Sequence, residues 1–218
     1  INNNIDSNYV ILLRSKGKIK VYYMKKGLLI ILSGPSGVGK GAVRRVLMEN
    51  NDMDLAYSIS MTTRAPRPLE TDGVDYFFVD DETFERNIAE GNLLEHASFV
   101  GNKYGTPKDY VEKLRNEGKN VLLEIEVQGA MQVLDKMKGD DIISIFLIPP
   151  SMADLEKRIR KRRTEPEEII QARLKKARSE LRYKYDYKYI VLNEIVQNAA
   201  LEIREIIKKN IELQKQKD

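Results

Sequence analysis

With 218 residues, 42% of them hydrophobic and 32% charged, the chain is long enough to bury one sizeable core, or a core carrying small insertions, and its composition is ordinary for a globular protein. The absence of cysteine excludes a disulfide framework, a thiolate metal site and a cysteine nucleophile and permits a reducing cytoplasm, while the single histidine, His96, leaves no imidazole cluster for zinc. A net charge of +4 is too mild to make nucleic acid the favoured partner, and the longest apolar runs fall far short of the roughly 20 residues that span a bilayer, so no membrane partner is expected either.

Residues 1 to 23, INNNIDSNYVILLRSKGKIKVYY, lack the long apolar stretch and small-residue cleavage site of a secretory signal. Met24 is followed directly by the first convincing strand, so the functional protein is expected to start there, with the preceding segment a tag, upstream translation or dispensable extension. That strand, GLLIIL at 27 to 32, runs into GPSGVGKGAV at 34 to 43, after which GAVRRVLMEN takes up helical periodicity. From about 59 to 105 the rhythm changes: VDYFFV, NLLEHASFV and the short KYG read as strands around a helix near residues 81 to 90, an α+β insertion. Thr106 before Pro107 reads as a cap followed by a residue with helical φ, starting a helix at 107.

Strand and helix then alternate: NVLLEIE and QGAMQVLDKM, IISIFLI and SMADLEKRIR, YKYIVL and NEIVQNAALEIREIIKKN. That alternation, with strands apolar almost throughout, predicts a parallel sheet buried on both faces by helices. Ser151 with Asp154 and Thr164 with Glu167 fit the box in which two side chains satisfy free backbone N–H groups at a helix start. The Arg-rich turn at 160 to 165 between two long helices suits a mobile lid. The basic run from 157 to 188 reads either as a solvated helix face or as a dock for something acidic.

Two constellations carry chemistry. In G-x-x-x-x-G-K, Gly34, Gly37 and Gly39 let the backbone turn tightly and aim N–H groups at phosphate oxygens, the following helix presents its positive end, and Lys40 supplies a point charge. The Ser or Thr that usually follows is absent: Gly41 and Ala42 stand there. In SMTTRAPRPLETDGVDYFFV, two guanidinium forks, Arg64 and Arg67, with the phenol of Tyr76, can grip a dianionic phosphate, which beside a phosphate loop suggests a second phosphate site.

SGPSGVGKG, SISMTTRAPRPLETDGVDYFFV, GNKYGTP, LLEIEVQGA, IPPS, RRTE and IVLN occur in the order and spacing of guanylate kinase, a resemblance running from about residue 24 to 209. It implies an α/β fold, a P-loop parallel sheet covered by helices with an inserted α+β GMP-binding subdomain and a helical lid. The implied division is a core of 24–58, 118–150 and 186–209, an insert at 59–117, a lid at 151–185, an extension at 1–23 and a tail at 210–218. It also implies transfer of the γ-phosphate of ATP to GMP, or its 2′-deoxy counterpart dGMP, in cytoplasmic purine metabolism, with Mg²⁺ bound mainly through ATP phosphates and water and no protein metal site. An interaction module that keeps the GMP pocket without kinase activity is the alternative, and no oligomeric state is assigned.

Carried over residue by residue, the resemblance puts ATP on Gly34, Pro35, Ser36, Gly37, Val38, Gly39, Lys40, Gly41 and Ala42, with Asn193 near the adenine. Lys40, Arg158, Arg162 and Arg173 become catalytic through the ATP phosphates. Arg64, Arg67, Tyr76 and Tyr104 would hold the GMP phosphate, and Ser60, Glu95, Thr106 and Glu126 would read guanine. Guanine offers N1–H and a 2-amino group to carboxylates, whereas adenine has an acceptor at N1 that leaves a buried carboxylate unpaired. Gly after the loop lysine is ordinary in bacterial members; Ala42 departs from the usual Thr, and Glu124 and Glu126 stand where Asp is common. Arg160, Lys161 and Arg163 read as solvated or steering charge, and His96 as a packing or rim residue.

Overall fold

The computed structural model describes residues 10–15, 18–23, 25–50, 52–99, 101–161 and 166–216. Val10–Ser15 (β1) and Lys18–Tyr23 (β2) pair as an antiparallel hairpin within the stretch expected as an extension. Next come Leu29–Ser33 (β3), Lys40–Met48 (α1), Leu55–Tyr57 (β4), Met61–Thr62 (β5), Phe77–Phe78 (β6), Asp81–Ala89 (α2), Leu93–Phe99 (β7) and Asn102–Pro107 (β8). Lys108–Asn116 (α3), Asn120–Glu124 (β9), Val127–Lys136 (α4), Ile142–Ile148 (β10), Met152–Arg160 (α5), Glu167–Glu180 (α6), a 3-10 turn, Tyr189–Leu192 (β11) and Val196–Lys215 (α7) complete the described chain.

The predicted parallel sheet is present, five strands in the order β11-β10-β3-β9-β4. Successive residues of its central strand face opposite sides, and both sides are covered. Ile30 and Leu32 pack with Val43 and Leu47 of α1 and Ile203 and Ile207 of α7, while Leu29 and Ile31 pack with Val111 of α3 and Val133 of α4. All four strand residues are fully buried, which is why the run reads as continuously apolar. The helix α7 runs unbroken past Lys209, the boundary expected for a tail, and Gln214 near its end donates to the Lys26 carbonyl at 2.9 Å.

The insertion forms a second sheet, β6-β5-β8-β7, with β8 antiparallel to both neighbours. Its helix α2 starts as expected, Asp80 accepting from the Thr83 N–H at 2.7 Å. The strand expected at 74 to 79 shortens to Phe77–Phe78, because Val74 and Asp75 donate to the Thr71 carbonyl in a turn.

Helix starts divide. Ser151 caps α5, accepting from the Asp154 N–H at 3.0 Å, which is half of the predicted box; the Asp154 carboxylate takes the Ser151 hydroxyl at 2.6 Å in place of a backbone N–H. Thr106 does not cap α3: it belongs to β8, its hydroxyl goes to Glu95, and Pro107 is the N-cap residue without a side-chain bond. Thr164 lies outside the described residues, and α6 has Pro166 at its N-cap.

Candidate active site

The end of β3 turns through Gly34 to Gly39 into α1. Gly39 holds φ +103° at the N-cap of α1, and a Cβ there would stand 2.6 Å from Asn193 Nδ2, so both backbone strain and space demand glycine. With no side chain capping it, the start of α1 offers its backbone N–H groups and positive dipole end to an anion. Lys40 is half-buried and crosses its own loop, donating to the carbonyls of Gly34 at 2.7 Å and Pro35 at 3.5 Å. Burial lowers its pKa, and the fields of Glu126, Glu124 and Glu180 oppose that shift.

Four lid-side and core residues, Arg158, Arg173, Glu180 and Asn193, converge on this loop. Arg173 of α6 donates to Ser36 Oγ at 3.1 Å, and Glu180 Oε2 accepts from the Ser36 N–H at 3.3 Å. Arg158 of α5 donates to the carbonyls of Val38, Asn193 and Glu194 at 3.1, 2.8 and 3.2 Å, clamping the loop to the end of β11. Asn193 is fully buried; its Nδ2 donates to Val38 at 2.7 Å and its Oδ1 has no partner among the described residues. Arg162, expected beside these groups, lies outside the described residues.

A cavity of about 430 Å³ adjoins the loop. Ser60, Tyr76, Glu95, Tyr104 and Glu126 line it, together with Arg44, Tyr57, Ala97, Ser98, Glu124, Ile125, Gln128, Gly129 and Lys176, while Arg64, Arg67 and Thr106 are not in its lining. Glu124 joins the two sites: it lines the cavity, and its Oε1 lies 3.3 Å from where a Cβ on Gly41 would stand.

Inside the cavity the buried Glu95 accepts from the Thr106 hydroxyl at 2.6 Å. Burial pushes its pKa up to about 7, against the Thr106 bond and the Lys136 charge. A Cβ on Gly129 would fall 2.4 Å from Glu95 Oε2, so this helical glycine exists to admit the carboxylate. Arg64 lies over the Tyr76 ring at 5.3 Å, and Tyr76 meets Tyr104 edge to face with centroids 6.1 Å apart. Arg64 also pairs with Glu70 at 2.9 Å, and the Arg67 N–H donates to the same carboxylate at 2.8 Å, while the Arg67 residue itself is exposed. The Arg67 N–H above all, then Arg64, holds Glu70 below the usual carboxylate range, with burial opposing.

The described residues thus form a glycine-rich loop suited to anions and, next to it through Glu124, a cavity lined by carboxylates, tyrosines and a paired arginine. The family model described as guanylate kinase matches residues 26–210. The chain belongs to the guanylate kinase family. Named relatives include guanylate kinases of Mesoplasma florum, 54% identical over 84% of this chain and 61% of that protein, and of Malacoplasma penetrans, 51% identical over 86% of this chain and 95% of that protein. This chain thus spans about 61% of the length of the Mesoplasma florum relative. The crystal structure of guanylate kinase from Anaplasma phagocytophilum matches with a TM-score of 0.67 and 34% identity, over 85% of this chain and 86% of that one.

Within this guanylate kinase fold, sequence reasoning passed over Arg44, Tyr57, Gly129 and Lys176. Arg44 had a signal: four residues after Lys40 on α1, it shares that face, and its Nε donates to Glu124 Oε2 at 2.7 Å while its guanidinium stacks 4.4 Å from the Tyr57 ring. Gly129 and Lys176 had none, since their significance lies in contacts with Glu95 and Glu126 far along the chain. His96 is half-buried, with its backbone pinned on both sides by Gln132 at 3.1 and 2.9 Å.

Proposed function

We propose that the chain transfers the γ-phosphate of ATP to GMP, and to dGMP, yielding ADP and the nucleoside diphosphate. The observation that carries this reading is the position of Glu124, which lines the carboxylate-bearing cavity and has its Oε1 3.3 Å from where a Cβ on Gly41 of the phosphate loop would stand. The order of motifs and the family membership support the same division of labour, with residues 59–117 presenting the acceptor and 151–185 closing over the donor.

In this mechanism a GMP phosphate oxygen attacks the γ-phosphorus and the bond from that phosphorus to the β–γ bridging oxygen breaks, releasing ADP. With a second pKa near 6 the acceptor phosphate is already mainly dianionic at neutral pH, so no protein base is needed. The obstacle is charge repulsion, about 4 kcal/mol for each pair of unit charges 4 Å apart at an effective dielectric of 20. Lys40 leaves the Gly34 carbonyl for the β and γ phosphates; Arg158, Arg162 and Arg173 meet the same charge; residues 34 to 42 wrap it, presenting the N–H groups of Gly37, Gly39, Lys40 and Gly41. Arg64, Arg67, Tyr76 and Tyr104 take the acceptor phosphate, whose charge replaces the Glu70 carboxylate that now occupies the Arg64 guanidinium and the Arg67 N–H.

Ser60, Glu95, Thr106 and Glu126 read the guanine, the carboxylates accepting its N–H groups and a hydroxyl donating to O6. The unpartnered Oδ1 of Asn193 suits the amino group of the donor adenine. Glu124, beside Gly41 and paired with Arg44, is the carboxylate that would face a magnesium ion carried in on the ATP phosphates. Such an ion would offset phosphate charge there. Among the described residues no helix is long and apolar enough to cross a membrane, and the cytoplasm, where both nucleotides occur, is the proposed place of action. The test is phosphorus NMR of the chain with ATP, Mg²⁺ and GMP: matched appearance of ADP and GDP supports the reading, and ADP with free phosphate or no turnover overturns it.

A further inference from the structure

Lys176 stands on α6 three residues after Arg173, so the two side chains leave the helix on one face. They serve different pockets. Arg173 reaches Ser36 of the phosphate loop, whereas Lys176 reaches the cavity, its Nζ 2.5 Å from Glu126 Oε2 and 3.7 Å from Glu180 Oε1. Glu180 in turn accepts from the Ser36 N–H at 3.3 Å. A polar chain of Ser36, Glu180, Lys176 and Glu126 therefore runs from the donor cradle to the acceptor pocket across one helix.

Burial works against the Lys176 charge, but the hydrogen bond and attraction from Glu126, with Glu180 behind it, outweigh burial and raise its pKa, so the ammonium is charged at neutral pH. Its field reaches Lys40, whose own charge it opposes. Glu126 is thus already neutralised before any purine arrives, and a guanine N–H edge approaching it meets an ammonium on the same carboxylate.

We propose that Lys176 is a positioning residue that couples the two nucleotide sites: the acceptor base displaces its ammonium from Glu126, and the freed ammonium, retained by Glu180 beside Ser36, moves toward the phosphate loop and strengthens donor binding. This rests on the reading of the cavity as a GMP site. Coupling between two sites is reciprocal, so ATP must tighten GMP by the same factor, and typical couplings start at about fivefold. A pair that merely decorated the surface of α6 would leave the two affinities independent.

The experiment is calorimetric titration of the whole chain with a non-hydrolysable ATP analogue and Mg²⁺, with and without saturating GMP, for the parent, Lys176→Met and Lys176→Arg. Expected are a gain of about fivefold or more in analogue affinity in the parent and in Lys176→Arg. In Lys176→Met the gain falls below about twofold, while GMP alone binds more tightly than to the parent because its competitor on Glu126 is gone. A parent that binds GMP together with a Lys176→Met variant that keeps the full gain, or that binds GMP more weakly, overturns the coupling role alone. A parent that binds no GMP overturns the functional reading and this inference with it. Lys176→Gln, which keeps a polar side chain on the half-exposed helix face, repeats the test if Lys176→Met fails to fold.

Discussion

The donor cradle and the acceptor cavity solve the same problem, holding polyanions, by different means. The cradle is made of backbone: its geometry follows from Gly34 and Gly39 at positive φ and from the start of α1, and within residues 34 to 42 Lys40 alone carries a full charge. The cavity is made of side chains, and the cations in and beside it are already spent on carboxylates, Arg44 on Glu124 and Lys176 on Glu126 in its lining, and Arg64 on Glu70 beside Tyr76. Donor phosphates can enter a preformed site, whereas the acceptor must exchange partners to enter its own. Discrimination belongs to the second arrangement, because a nucleotide unable to replace those internal bonds leaves buried charges unpaired.

Removing the cradle's one mobile charge should have the largest effect. Lys40→Ala is expected to lower kcat for ADP release by about a thousandfold while GMP affinity, measured by titration, stays within about twofold, because the acceptor site does not depend on it. Loss of GMP affinity to the same extent as kcat would dissolve the distinction between the two regions. On the cavity side, Gly129→Ala pushes Glu95 out of place without touching the cradle. Steady-state kinetics should show the GMP KM rising about tenfold or more and the ATP KM nearly unchanged, with stability preserved since Ala favours a helix over Gly by about 1 kcal/mol.

The pH response of Glu95 sharpens the comparison further. Its native pKa, about 7, stands above the ordinary glutamate value of 4.5, so the native protein holds a proton that the unfolded chain releases between these values. Stability is accordingly lost as pH rises through that window, by about 3 kcal/mol in all. Guanosine binding should move the opposite way and strengthen as pH rises through about 7, since the ionised carboxylate can accept at both oxygens, whereas the protonated form presents one of them as a donor. Thermal melts and guanosine titrations from pH 5 to 8, with Glu95→Gln as the variant that flattens both curves, check the two signs together; guanosine avoids the titration of a phosphate.

Smaller changes are expected where backbone already does the binding. Ala42→Thr adds one hydroxyl to a complete cradle and should lower the ATP KM by about two- to fivefold; an unchanged KM would mean the backbone suffices alone. Leu69, fully exposed at φ +75°, occupies a left-handed conformation that costs an L side chain about 1–2 kcal/mol. Leu69→Gly relieves this at the expense of unfolded-chain entropy and should raise stability by about 0.5 kcal/mol in a denaturant titration, a gain that a Leu69 side chain with a packing role would reverse.

What the sequence made legible follows the same split. The strands around the cradle are long and apolar, so their alternation with helices predicted the parallel sheet, and the glycine spacing predicted the loop. β4 went unseen because three residues, Leu55, Ala56 and Tyr57, carry no period; only pairing with Val121 and its neighbours makes them a strand. In the cavity, Glu95 and Thr106 meet across the β7–β8 hairpin, and the hydroxyl was assigned to the helix start since a Thr-Pro pair gives a strong local signal and the competing carboxylate lies eleven residues away. Resemblance of ordered motifs named Ser60, Tyr76, Glu95, Tyr104 and Glu126, which line the cavity, along with Arg64, Arg67 and Thr106, which are not in its lining; Lys176, fifty residues from Glu126, had no local pattern to betray it.

The account stands most directly on acceptor choice, measured as kcat/KM for GMP against AMP in a coupled ADP-release assay. Carboxylates that must be repaid in N–H donors predict a preference for GMP of about 10⁴ or more. Comparable turnover of AMP, within about tenfold, would contradict the claim that Glu95 and Glu126 read the base.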